Sequence, residues 1–288
     1  MPPKATKIAK PKAGRSSAPR QEGGETVRFD DCLAAAHAFA DASGPAILPH
    51  FRRPIPVDNK DGAGGFDPVT VADRGAERAI AKALKARFPD HGMAGEEYGL
   101  KGAGARYRWV IDPIDGTKAF ILGLPTWGTL IGLMDGRDPV LGVMDQPYTR
   151  ERFWSARNAS WMRMSDGRTR RIKTRDCTRL ADAMLSTTTP DLFAPGEEAT
   201  RFAKVKAAVR MTRYGSDCYA YCLIAAGLID VVVEAGLKQV DIVALIPIIE
   251  RAGGCVTSWT GGSAVDGGRV VASANPKLHT AALKLLGG

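Results

Sequence analysis

The stretch Arg106-Tyr-Arg-Trp-Val-Ile-Asp112-Pro-Ile-Asp115-Gly-Thr117-Lys-Ala-Phe120 constrains this chain more than any other. A run of apolar, strand-forming residues meets Pro113, and Gly116-Thr117 then opens a helical pattern. The spacing predicts a buried strand, an abrupt turn and a helix start. Two carboxylates three residues apart, straddling a turn at the C-terminal end of a strand, can converge on one point. Such a pair suits a hard divalent cation with oxygen ligands, and the turn offers the Ile114 carbonyl as a further ligand. The free N–H groups of the helix start, at Gly116 and Thr117, form a ready phosphate site just beyond. The combination points to metal-assisted phosphate chemistry. The bland alternative is an acid-rich turn with Asp115 as a helix cap.

Patterning elsewhere predicts an α+β chain. A helix is expected from Phe29-Asp30-Asp31 to a break at Gly44-Pro45, and a stronger one from Thr70-Val-Ala-Asp73 to Pro89. The Thr-x-x-Asp spacing of the second resembles a capping box. A Gly-rich loop, Asp58 to Phe66, lies between them. Strands are expected near 91–95, 107–112, 127–134, 139–145 and 151–156, the last three as an antiparallel meander. After a basic, exposed segment from Arg168 to Arg175, strands near 183–188, 211–214, 229–234, 254–259 and 269–273 alternate with helices near 197–208, 217–227, 241–252 and 276–286. Pro247 is expected to kink the third of these helices. The texture divides softly near residue 155, giving an N-terminal α+β part (27–155) and a C-terminal α/β part (156–288).

Composition excludes several classes. At 288 residues and 44% hydrophobic the chain can bury a sizeable core. Its longest apolar run, Ile242 to Ile249, is less than half of the roughly 20 residues that a membrane span needs. Six of the nine net positive charges come from Lys4, Lys7, Lys10, Lys12, Arg15 and Arg20, in a segment with no acid. Residues 1–26 therefore read as a disordered basic tail, too rich in Pro, Ala, Gly and Ser to bury a core. The odd count of five cysteines, with no Cys-x-x-Cys pair, and four scattered histidines give no zinc spacing and suggest a reducing, cytoplasmic setting.

Three further segments carry acids. Gly95-Glu96-Glu97 follows a short apolar run, so it too ends a strand. Asp67-Pro-Val-Thr70-Val-Ala-Asp73 and Val240-Asp241-Ile-Val-Ala-Leu-Ile place carboxylates at helix starts, where capping alone would explain each.

Together these segments resemble the inositol monophosphatase-like family of magnesium-dependent, lithium-sensitive phosphatases. The resemblance covers about residues 30–286. It runs through Asp-Pro-x-Thr-x-x-Asp at 67–73, Gly-Glu-Glu at 95–97, Asp-Pro-Ile-Asp-Gly-Thr at 112–117, and Asp241 ahead of Ala252-Gly253-Gly254. It implies a layered α-β-α-β-α sandwich of the sugar-phosphatase type. It assigns Glu96, Asp112 and the Ile114 carbonyl to one magnesium ion, and Asp112, Asp115 and Asp241 to a second. It also implies a weaker third ion held by Glu96 through water. Lys118-Ala119-Phe120 and Val240 depart from the commonest inositol phosphatase pattern. Gly236-Leu237-Lys238, the segment from Asp241 to Glu250, and Arg213-Tyr-Gly-Ser-Asp-Cys-Tyr-Ala-Tyr221 look instead like the histidinol-phosphatase branch.

The resemblance further implies hydrolysis of a phosphate monoester by in-line attack of an activated water. Thr117, hydrogen-bonded to Asp73, orients that water, and the amides of Gly116 and Thr117 hold the phosphate. Glu234 falls where the family places a carboxylate on the leaving alcohol. With Asp217 it suits a cationic leaving group such as histidinol better than a neutral polyol, and Arg213 is a candidate phosphate contact. Capping (Asp217) and an exposed strand end (Arg213) are the alternatives. L-Histidinol phosphate is thus the expected substrate. Inositol 1-phosphate, another sugar phosphate or a nucleotide is the runner-up. A non-catalytic RNA-associated factor using the basic tail is the reading of another class. A homodimer is expected by resemblance only, with no membrane and no nucleic-acid partner.

Overall fold

The computed structural model describes residues 28–60 and 67–287, so the basic tail and most of the Gly-rich loop lie outside the described residues. Helix α1 (Phe29–Ile47) buries Cys32, Ala35, Ala36, Phe39, Ala40, Ser43 and Ile47 along one stripe. It runs straight through Gly44-Pro45, where a break was expected. Pro45 stands on the exposed side in the last turn, so water can take the carbonyl that its missing N–H leaves free. Strands β1 (Val57–Asn59) and β2 (Pro68–Thr70) form a short antiparallel hairpin. Helix α2 (Val71–Arg87) follows, opened by the expected capping box: the Asp73 carboxylate accepts from the Thr70 backbone N–H at 2.8 Å.

The larger sheet contains β3 (Gly92–Gly95), β4 (Gly99–Lys101), β5 (Tyr107–Asp115), β6 (Gly128–Asp135), β7 (Asp138–Gln146), β8 (Glu151–Ser155), β9 (Ser160–Arg163) and β10 (Thr169–Ile172). From edge to edge its order is β10-β9-β8-β7-β6-β5-β3-β4, antiparallel except between β3 and β5. The meander expected from β6 to β8 is present, and β9 and β10 extend it. The texture change near residue 155 thus falls inside this sheet, whose last strand ends at Ile172. In the basic segment, Thr169, Arg170 and Arg171 are exposed on an edge strand, where charge discourages pairing with another chain.

The smaller sheet holds β11 (Met184–Thr187), β12 (Met211–Tyr214), β13 (Val231–Leu237), β14 (Cys255–Ser258) and β15 (Gly268–Ser273), in the order β12-β11-β13-β15-β14. The remaining helices are α3 (Thr117–Ile121), α4 (Glu197–Ala208), α5 (Asp217–Ala225), α6 (Gln239–Ile242), α7 (Leu245–Ala252) and α8 (Pro276–Leu286). Helices α1 and α2 pack on the larger sheet, α5 and α7 lie between the sheets, and α4 and α8 pack together beside β15. The result is an α+β fold of alternating helix and sheet layers. One apolar cluster joins Leu130, Met144 and Phe153 of the larger sheet to Leu185, Val232 and Val271 of the smaller.

The single helix expected over 241–252 is two helices, interrupted at Val243-Ala244. Pro247 has no N–H for the carbonyl of Val243 four residues back, so the break falls there and the proline sits in the first turn of α7. The interruption lies against the larger sheet at Gly142. A Cβ on Gly142 would come 1.7 Å from the Ala244 carbonyl oxygen, so only glycine lets this segment approach. That contact brings Asp241 toward the end of β5.

Candidate active site

Strand β5 is not ended by Pro113. It continues to Asp115 with an irregularity: Asp112 pairs with Leu130 and Asp115 with Gly128, so three steps on β5 face two on β6. The proline occupies this bulge, where no ladder N–H is required. In a regular strand, side chains three residues apart point to opposite faces. The extra residue returns Asp115 to the side of Asp112, and Ile114 N–H donates to Asp112 Oδ1 at 3.0 Å. The predicted convergence is present, produced by a bulge and not by the expected abrupt turn.

Asp241 completes the group. One carboxylate oxygen from each of Asp112, Asp115 and Asp241 lies within 4.8 Å of the others. Asp112 is buried and the other two are half-buried. Burial, with Glu96 and Asp115 close by, holds the Asp112 carboxyl well above the usual carboxylate range. Burial and the Asp241 charge do the same to Asp115. Asp241 is pushed up to about 6, chiefly by burial. Its Oδ2 also accepts the Lys238 backbone N–H at 2.7 Å, so the capping role weighed from sequence coexists with membership of the cage. Converging oxygens with no protein cation among their hydrogen-bond partners in the described residues are the donor set that a hard divalent ion takes.

Glu96 reaches the same pocket but not the three-way cluster. Its Oε1 is 3.1 Å from Lys60 Nζ and 3.3 Å from Lys238 Nζ. Lys60 also holds Glu97 at 2.9 Å, and Lys238 is 3.5 Å from Asp67. The Glu96 turn is fixed from behind by Glu77, a fully buried carboxylate that accepts from the backbone N–H groups of Glu97 and Tyr98 at 2.8 and 3.0 Å.

The expected Thr117–Asp73 hydrogen bond is not made. Thr117 Oγ1 donates to the Ile114 carbonyl at 3.0 Å. Asp73 Oδ2 is taken by Thr70, which is what a capping box requires, while Asp73 Oδ1 is buried without a hydrogen-bond partner among the described residues. Burial outweighs the Thr70 bonds and pushes the Asp73 carboxyl up to about 6.

A pocket of about 340 Å³ gathers Glu96, Asp112, Ile114, Asp115, Gly116, Thr117, Asp217, Glu234 and Asp241. Asp217 does not cap α5. Its backbone is left-handed (φ 42°), a strained position for a residue with a side chain, and its Oδ2 accepts from Thr126 Oγ1 at 3.2 Å. Gly116 is also left-handed (φ 84°), and a Cβ there would meet the Asp217 side chain at 3.0 Å. Glu234 is buried on β13, and burial pushes its carboxyl up to about 7 against the hydrogen bonds from Thr188. Arg213 is exposed on β12 and is not among the pocket residues. Sequence reasoning missed Glu77, Lys60, Lys238, Thr188, Cys218 and Tyr221. Cys218 donates its backbone N–H to Asp115 Oδ2 at 2.9 Å. Lys238, Cys218 and Tyr221 stood in segments quoted for the family resemblance without a role of their own, and Glu77 carried a signal as an acid between the buried Ala76 and Ile80 of α2.

The layered fold and its cage of acidic oxygens are those of a phosphatase family. The family model for the inositol monophosphatase family matches residues 29–287, and the chain belongs to that family. It is 42% identical over 276 residues to the bifunctional phosphatase IMPL2, chloroplastic, of Arabidopsis thaliana, covering 90% of this chain and 76% of that protein. It is 34% identical over 258 residues to a histidinol-phosphatase of Mycobacterium tuberculosis, covering 89% and 98%. A solved inositol monophosphatase structure from Zymomonas mobilis superposes with a TM-score of 0.80 at 38% identity, covering 91% of this chain and all of that one.

Proposed function

We propose that this chain is a magnesium-dependent phosphate monoester hydrolase that converts L-histidinol phosphate to L-histidinol and phosphate. The observation that carries the reading is the sharing of one pocket by the Asp112–Asp115–Asp241 cluster and two further acids, Asp217 and Glu234. The cluster fits hard divalent ions. Asp112, Asp115, Asp241, Glu96 and the Ile114 carbonyl would hold two magnesium ions, with a weaker third at Glu96. Bound magnesium would supply charge stabilisation for the phosphate and activation of the attacking water.

The chain's own groups do the rest. Gly116 and Thr117 amides hold the phosphate beside the cluster. The Thr117 hydroxyl, which donates to the Ile114 carbonyl here, would orient the attacking water, with the unpartnered Asp73 Oδ1 as the acceptor for its proton. Asp217 and Glu234 line the part of the pocket left for the alcohol. Two carboxylates attract a leaving group that carries an ammonium and an imidazole more than a neutral polyol. The histidinol-phosphatase relative supports the same substrate. Arg213 drops out as a phosphate contact within one chain, since it is exposed away from the pocket. A homodimer belongs to this reading on the family resemblance alone, and a cytoplasmic setting on the cysteine usage.

A panel of L-histidinol phosphate, inositol 1-phosphate and fructose 1,6-bisphosphate, assayed with and without magnesium and lithium, tests the proposal. The expected result is magnesium dependence, lithium inhibition and the highest kcat/KM for L-histidinol phosphate. A higher kcat/KM for inositol 1-phosphate overturns the substrate.

A further inference from the structure

Tyr221 has no role in the reading above, yet it lines the pocket from α5. It stands four residues after Asp217, one helical turn on, so both side chains share the face of α5 that meets the pocket. The residue is only 3% exposed, and its hydroxyl is buried without a hydrogen-bond partner among the described residues. Burial and the nearby charges of Glu234, Asp115 and Asp241, with Glu234 the strongest of the three, keep the phenol protonated. It is therefore an O–H donor without an acceptor, set beside carboxylates. A buried unmade hydrogen bond is costly, and most such groups find a partner.

Glu234 presents the matching vacancy. Its three hydrogen bonds, from Thr188 N–H at 2.7 Å, Thr188 Oγ1 at 3.1 Å and Thr187 Oγ1 at 3.4 Å, all fall on Oε1. Oε2 is left for another donor. We propose that Tyr221 is a positioning residue for Glu234: its hydroxyl donates to Oε2 when a cationic leaving group engages that carboxylate, fixing the acid on the substrate's charge. This rests on the preceding functional reading and gives Glu234 its fourth donor. Tyr221 acts on the substrate only through Glu234.

The test is a double-mutant cycle in the full chain with magnesium, using Y221F, E234Q and the pair. L-Histidinol phosphate is the cationic ester and glycerol 1-phosphate the neutral one. Y221F is expected to raise KM for L-histidinol phosphate roughly tenfold, the scale of one hydrogen bond to a charged group, with kcat nearly unchanged. Kinetics on glycerol 1-phosphate should not move, and Y221F should add less than about twofold to E234Q, as coupled sites do. Because the hydroxyl is unpaired in the free protein, Y221F should melt no lower than the parent. Independent, multiplying effects of the two substitutions, an equal loss on both esters, or a clear drop in melting temperature would each overturn the proposal. A parental preference for inositol 1-phosphate instead overturns the substrate assignment. The 221–234 coupling is still read on L-histidinol phosphate as the cationic ester, where its presence sustains the positioning role and its absence ends it.

Discussion

Asp112 and Asp115 show how much a single carboxylate pair asks of its surroundings. Both are held well above the usual carboxylate range by burial and by each other's neighbours, Glu96 and Asp241. Such groups stay protonated unless an opposite charge from outside the chain draws them into their ionised form. Asp112→Asn and Asp115→Asn are each expected to lower kcat by at least about 10²-fold, the scale of losing one preorganised electrostatic element. Steady-state assays at saturating magnesium check this, and near-parental turnover in either variant would defeat the metal assignment. Glu77 presents the opposite case, a buried acid whose work is structural. It satisfies two backbone N–H groups behind Glu96, so Glu77→Ala should cost about 1–3 kcal/mol of stability by stranding them. Urea unfolding reads that loss, and magnesium titration should show weaker binding as the Glu96 turn loosens.

At the scale of elements, legibility followed locality. The capping box of α2, the strands of the smaller sheet and the exposure of the basic segment at 168–175 were visible because each depends on neighbours a few residues away. The bulge in β5 was not. Asp112-Pro-Ile-Asp115 has the composition of a turn, and only pairing with β6 shows that the strand runs on. The interruption between α6 and α7 was misplaced for a related reason: Pro247 was legible, but its effect falls on the carbonyl four residues earlier. Among site residues, the cluster could be read from spacing and family resemblance. Tyr221 could not, because its interest lies in an unpaired hydroxyl that no sequence pattern records. The seat of the α6–α7 interruption on Gly142 yields a prediction at this scale. Gly142→Ala forces a Cβ to 1.7 Å from the Ala244 carbonyl oxygen. It should destabilise the fold by about 1–3 kcal/mol and weaken magnesium binding by displacing Asp241. Gly104→Ala, with nothing within 4 Å of its Cβ, should change neither. Denaturation and calorimetric magnesium titration separate the two variants.

Across the whole molecule, the same acids make stability depend on pH and on metal together. Asp112, Asp115 and Asp241 have raised carboxyls, Asp241 at about 6, so the metal-free fold binds more protons than the unfolded chain between roughly pH 4 and 6. Stability from these groups is therefore greatest at low pH and is lost as pH rises through the folded values. His37 works in the other direction. Burial lowers it to about 4, so the folded chain keeps it neutral, and its contribution grows as pH rises toward 6.5. Melting temperature against pH would mix these opposing slopes. The increment produced by magnesium does not, because His37 is common to both states. Magnesium binds the ionised carboxylates and competes with their protons, so its stabilisation should be small at pH 5 and grow to a plateau once the pH has risen through their folded values. At a hundredfold excess over the dissociation constant the plateau is about 2.7 kcal/mol for one site, a shift of several degrees in a chain of this size. Thermal melts with magnesium and with EDTA across this range measure it. In Asp115→Asn the increment should shrink and its pH dependence flatten. A magnesium increment that is constant from pH 5 to 8 would mean that the ion binds elsewhere than on these three acids.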